Sequence, residues 1–247
     1  MGKKILLTLI VISCIIICKR SQAQIIASDT SQQPALGHII DNYNTAINEQ
    51  SRLYNGPEYD LYNPNIKGNA YFTDLNEFAR GTVTYDGIFY KNVPMMYDMY
   101  KDVIVVLLYN KFSRYSLLSE RVESLDLLNH HFIYIKTDSL NANAGISTGF
   151  YDQLYNGSLE VLVKRSKALQ NTTGTNTIET YFTSSKSFYL KKGNSYYSIG
   201  SQSTMLKILN DKKKELQQYI KANKIKFKKT PEEALVAIAA RYDELSR

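Results

Sequence analysis

The spacing of apolar residues along this chain changes character three times, and each change predicts a different kind of element. Residues 5–18 form an apolar run broken only by Thr8 and Ser13. Between 36 and 54, Leu36, Ile39, Ile40, Tyr43, Ile47 and Leu53 recur closer to every 3.6 residues than to every second one. That spacing predicts one amphipathic helix, ended by Asn55-Gly56-Pro57. Residues 58–78 are rich in Asn, Pro, Tyr and Gly without a period, which predicts an ordered loop held down by its aromatics. From 81 to 199 the pattern becomes that of short strands. Asp86-Gly87 separates residues 83–85 from 88–90 and supplies the positive φ angles of a type I′ hairpin turn. Asn156-Gly157 and Lys191-Lys192-Gly193-Asn194 mark two more hairpins. Residues 103–109 are apolar throughout and predict a strand covered on both faces. Leu159, Val161 and Val163 instead alternate with Glu160 and Lys164, as in a strand with one wetter face.

After residue 200 the helical period returns. Ser203 and Asp211 are candidate N-caps, and Leu206, Leu209, Leu216, Tyr219 and Ile220 fall on helical faces. Thr230-Pro231-Glu232-Glu233 reads as a capping box with proline at the first helical position, followed by Leu235, Ile238, Tyr242 and Leu245 on one face. The expected fold is therefore α+β, mainly an antiparallel β meander of about ten strands in a curved or barrel-like sheet. An N-terminal helix precedes the sheet and C-terminal helices follow it. The expected organisation is a signal peptide over 1–23, a flexible lead-in over 24–35, the helix and β domain over 36–200, and a helical segment over 201–247.

The leader reading rests on Lys3 and Lys4, the apolar run behind them, and Ser21-Gln22-Ala23, which predicts cleavage before Gln24. A lipoprotein processed at Cys14 and a signal anchor held by Lys19 and Arg20 are the alternatives. The run of 14 residues is shorter than the roughly 20 that span a bilayer. Both cysteines, Cys14 and Cys18, lie inside it, so the exported chain is expected to lack thiols and disulfides. The expected location is the periplasm, the envelope or the medium.

Behind the leader, basicity is confined to one segment. The formal +7 includes four cations of the leader with no acid among them, which leaves +3. Between Lys207 and Lys229 stand nine lysines against Asp211 and Glu215, an excess of seven, so the remainder is about −4. On the helix expected over 211–223, Lys212, Lys213, Lys214 and Lys221 fall outside, and Lys224, Lys226, Lys228 and Lys229 alternate with Ile225 and Phe227 as in a short extended piece. Such a patch suits an anionic envelope surface or an acidic protein partner. Nucleic acid is not expected outside the cell interior.

Tyrosine is abundant, with 20 copies against 9 Phe and no Trp. Tyr54, Tyr59, Tyr62 and Tyr71 gather in the loop region, where exposed rings would make a platform for sugars or peptides and packed rings would only fasten the loop.

Catalytic patterns are weak. Gly145-Ile146-Ser147-Thr148-Gly149 matches the nucleophile elbow of serine hydrolases, but no apolar strand precedes it and no histidine follows His131. His130 and His131 are adjacent, so in a strand their rings point to opposite faces and cannot share one ion. The acids Glu58, Asp60, Asp74, Glu77, Asp98 and Asp102 suit turns and solvation better than a catalytic pair. No cofactor is expected.

Gly81-Thr82-Val83-Thr84-Tyr85-Asp86-Gly87, then Tyr90, Val93, Tyr97-Asp98 and Asp102-Val103-Ile104-Val105, resembles a pattern in exported β-meander proteins of Gram-negative bacteria that carry a lysine-rich helical tail. The resemblance implies the fold and the location and brings no activity or catalytic residue with it. The functional expectation is a non-catalytic binding or scaffolding role. A hydrolase acting on glycan or peptide through acids of the β domain, and a carrier of an apolar ligand in the curved sheet, are the alternatives.

Overall fold

The computed structural model describes residues 52–137, 145–173 and 178–247. The leader, the lead-in and all but the last turn of the expected N-terminal helix lie outside them. Ten antiparallel strands form one sheet: β1 Ala79–Tyr85, β2 Ile88–Asp98, β3 Val103–Leu107, β4 Arg114–Ser116, β5 Val122–Leu127, β6 His130–Ile135, β7 Gly149–Asn156, β8 Leu159–Thr173, β9 Ile178–Lys192 and β10 Ser195–Ser198. Their spatial order is β10-β9-β8-β7-β6-β5-β1-β2-β3-β4.

Neighbours in sequence are neighbours in space except after β4, where the chain returns to the far side of β1. Residues 117–121 make that return alone. The Lys167 N–H on β8 donates to the carbonyl of Met99, the residue after β2, at 3.1 Å, although five strand spacings, roughly 24 Å on a flat sheet, separate β8 from β2 in the strand order. The sheet must therefore curl. Register shifts supply bends at three places: between Gly81 and Val83 against β2, where Asn92 takes φ 57°, between Thr84 and Tyr85 against β5, and between Gln153 and Tyr155 against β8.

The turns follow local chemistry closely. Asp86 and Gly87 both have positive φ, 52° and 72°, as a type I′ hairpin requires. Strands β8 and β9 pair without a shift over fifteen positions each, much further than the apolar segments 159–164 and 188–190 indicate. Beyond Arg165 the arms are mostly polar, and main-chain pairing with cross-strand contacts such as Ser166 to Ser185 continues the ladder.

The curled sheet is filled from inside. Val83, Tyr85, Met95, Tyr97, Ile104, Val106, Leu125, Phe132 and Phe150 form its main core with Phe72 and Leu117. Strand β3 is covered on both faces, as its unbroken apolar run predicts: Ile104 and Val106 face that core, while Val105 packs with Met96, Tyr59, Ala70 and Tyr71 under the loop. A third core joins Leu159, Val161 and Leu190 to the C-terminal helices α1 Gln202–Ile208, α2 Lys213–Ala222 and α3 Pro231–Ser246. Ile135, Ile146, Tyr151 and Leu162 make a fourth on the opposite face of β7 and β8.

Several helix ends differ from the sequence expectation. Ser201, not Ser203, caps α1 by accepting from the Thr204 N–H. Asp211 lies in a 3-10 turn, Asn210–Lys212, and its carboxylate is drawn to Lys192 and Tyr242. Thr230 makes no side-chain cap at α3, although Pro231 does sit in the first turn, and the neighbouring Glu232 is drawn toward the sheet by Arg165. Residues 224–229 run through two turns, at 223–224 and 227–229, and not as an extended piece. Ile225 and Phe227 nonetheless pack on the C-terminal core.

Gly81 tests the strand packing. A Cβ there would collide with the main-chain oxygen of Asp126 on β5. Gly81→Ala is expected to lower stability by about 1–3 kcal/mol, read from the urea midpoint; an unchanged midpoint would show that β1 and β5 can separate freely.

Candidate functional site

The loop tyrosines converge on one buried carboxylate. Asp98 closes β2 and is 0% exposed. Its Oδ2 accepts from Tyr59 at 2.7 Å and Tyr62 at 2.6 Å, and its Oδ1 accepts from the main-chain N–H groups of Tyr100 and Lys101 at 2.8 and 2.9 Å. Four donors compensate the charge that burial would otherwise penalise. Burial, then the hydrogen bond to Asp98, pushes the Tyr62 hydroxyl well above its ordinary range, so it remains a donor. Tyr59 is raised in the same direction by burial and by its contacts with Tyr71 and Asp98. Tyr59 and Tyr71 are both buried, so their rings are not presented to solution. Tyr62 packs edge-on against Tyr100 and Phe182, and Tyr54 against Tyr109. The tyrosines thus fasten the loop, with the Lys101 ammonium lying over Tyr59 and Tyr62 at 4.6 and 5.0 Å.

Other acids are used in the same way. Asp102 accepts from Tyr97 at 2.6 Å and Lys164 at 2.5 Å, joining the β2–β3 turn to β8. Asp152 on β7 binds His130 at 2.7 Å and Arg165 at 2.8 and 2.5 Å, and Arg165 reaches on to both oxygens of Glu232 on α3. Lys186 meets the same Glu232. Asp243 holds Tyr155, the Ser158 N–H and the Ser158 hydroxyl. Each acid joins segments distant in sequence.

The catalytic patterns can now be placed. Ser147 lies in the segment before β7 and contacts the Tyr151 hydroxyl; a strand follows it where an elbow needs a helix. His130 turns toward Phe72 and Asp152, while His131 pairs with Asp126 across to β5. Among the described residues no three His, Cys, Asp or Glu side chains are grouped as a metal site. No described helix is long and apolar enough to cross a membrane, which leaves strands aside.

The lysines behave differently from the acids. Lys214 and Lys221 are exposed and Lys213 half-exposed on α2, whose Leu216 and Ile220 face inward, and Lys212, half-exposed, immediately precedes it. Helix α2 ends in a complete Schellman motif: the Lys224 N–H reaches the Lys221 carbonyl, the Ile225 N–H reaches that of Ile220, and Lys224 takes φ 52°. The chain then folds into a second turn, with the Lys229 and Thr230 N–H groups on the Lys226 carbonyl. Between this turn and residues 200–203 lies a cleft of about 510 Å³, lined by Gly200, Ser201, Gln202, Ser203, Ile225, Lys226, Phe227, Lys228 and Lys229. No carboxylate lines it.

No protein-family model, curated protein or solved structure matches this chain. The geometry therefore carries the functional argument. The cleft and the internal anchors Asp152, Arg165, Glu232 and Asp243 were not singled out as a site from the sequence, and Asp98 and Asp102 were read there as turn acids. One signal was available for Arg165 and Lys167: they continue the phase of Leu159, Val161 and Val163 along β8, and both are only 6% exposed. Charge on an inward phase means a buried partner.

Arg165→Met is expected to cost about 3–5 kcal/mol in urea unfolding, because Asp152 and Glu232 keep their charges without the shared cation. A loss below about 1 kcal/mol would mean the network is solvated. Burial pushes Glu232 upward, but hydrogen bonds from Arg165 and Lys186 hold its carboxyl below the ordinary 4.5. Ser158 and Tyr155 likewise outweigh burial and hold Asp243 below 3.8. Folded-state values below unfolded ones give stability that is present above pH 4.5 and lost as pH falls through the depressed values. Urea midpoints measured downward from pH 6 are expected to decline below about pH 4.5, and less steeply in Glu232→Gln.

Proposed function

We propose that this protein is an exported, non-catalytic binding protein of the cell envelope that docks on an anionic surface through its lysine-rich C-terminal cap. One observation carries the reading: none of the nine lysines from Lys207 to Lys229 makes an ion pair with a described residue. Elsewhere, six described lysines, Lys67, Lys164, Lys167, Lys186, Lys191 and Lys192, are paired with acids, and the ones without a described acid partner, such as Lys101, Lys111 and Lys136, are scattered along the chain. Unspent cations gathered on one cap keep their full attraction for an external anion. The resemblance to exported β-meander proteins and the leader pattern support the location.

The alternatives find less support. A hydrolase needs two acids facing a cleft, whereas Asp98, Asp102, Asp152 and Asp243 act as acceptors that join segments. An apolar carrier needs room inside the curl, which is occupied by Tyr85, Tyr97, Phe132, Phe150 and Met95; the described cavity beside Met95 and Tyr97 is about 10 Å³.

Vesicles of neutral lipid doped with phosphatidylglycerol are expected to pellet the exported chain at low salt and to release most of it at moderate salt. The triple variant K212Q/K213Q/K214Q is expected to reduce partitioning by up to roughly a hundredfold, at up to about 1 kcal/mol per lysine. Pelleting that is indifferent to both salt and the substitutions would refute docking through this cap.

A further inference from the structure

Resting on that docking surface, we propose that the cleft between residues 200–203 and 225–229 is a headgroup subsite. It takes the phosphodiester of an anionic glycerophospholipid. The Schellman turn at Lys224 seats Ile225 against the core, and the following turn gathers Lys226, Lys228 and Lys229 around one opening. Three ammonium groups confined to one short turn converge on a single anionic group more readily than on a row of successive carboxylates, which favours a headgroup over an acidic peptide. The volume of about 510 Å³ exceeds what a lone phosphate fills and falls within the usual range of small-molecule sites. Half-buried Ile225 and Phe227 give the cleft an apolar wall, which inorganic phosphate cannot use and a glycerol backbone can. Gln202 and Ser203 add polar side chains at the opposite wall. Lys221 and Lys224 continue the basic surface from α2 to the cleft, so a headgroup held there lies in the plane of the docked membrane.

The test uses short-chain phosphatidylglycerol kept below its micelle concentration, titrated into the exported chain and followed by heat or by amide shifts. Saturable binding of one lipid per chain is expected. K226Q/K228Q/K229Q is expected to weaken it by about tenfold or more, with an unchanged circular dichroism melt. K212Q/K213Q/K214Q is expected to leave this binding within about twofold while losing vesicle pelleting. If inorganic phosphate, or a glutamate-rich peptide, binds as tightly as the lipid, the cleft is a general anion or protein site and the inference falls. If vesicles pellet the wild-type chain but the monomeric lipid does not bind, the subsite is refuted and the docking surface stands. Saturable lipid binding without vesicle pelleting refutes the docking surface and keeps the cleft.

Discussion

A curled ten-stranded sheet has two faces rich in apolar side chains, and nearly every other feature of this chain is placed by the need to cover them. Curling lets the inner face cover itself, so that Tyr85, Tyr97, Phe132 and Phe150 meet within one core. The outer face of β2 and β3 cannot close on itself and takes the loop that carries Tyr59 and Tyr71. The far end, around Leu159, Val161 and Leu190, takes the three C-terminal helices. Burying these faces removes from water the apolar area that drives folding.

Coverings that are remote in sequence need something more directional than apolar contact, and buried or half-buried acids supply it. Asp98 ties the tyrosine loop to the β2–β3 turn, Asp102 ties that turn to β8, and the Asp152–Arg165–Glu232 chain ties two strands to α3. A carboxylate taken wholly or partly out of water must be given donors, so each one specifies which segments meet. The same donors hold Glu232 and Asp243 ionised to lower pH than usual.

This use of the acids shapes the functional surface. Carboxylates spent on internal joints cannot balance the lysines of residues 207–229, and the cap is left basic. Its lysines sit where helix α2 and the turns after it leave the core, because Leu216, Ile220, Ile225 and Phe227 must face inward. Packing thus orients the charge without any ion pair directing it.

Much of the architecture was legible from residues close together in sequence. Asp86-Gly87 set its hairpin, the unbroken run after Asp102 announced a strand covered twice, and Leu235, Ile238 and Tyr242 marked the buried face of the last helix. The lysine cap was legible for the same reason, since Leu216 and Ile220 alone determine which side of α2 is wet. What remained hidden was long-range. Nothing near β4 announces that β5 returns beside β1, nothing near Asp98 names Tyr59 and Tyr62 as its donors, and Asp211 looked like a cap until Lys192 and Tyr242 claimed it. By itself, then, the sequence determined the elements, their wet and dry faces and the sign of one surface, because turn geometry and periodicity act over a few residues. Strand order, the partners of each buried charge and the cleft among the lysines were decided only by tertiary structure, because they depend on which distant segments the covering of the sheet brings together.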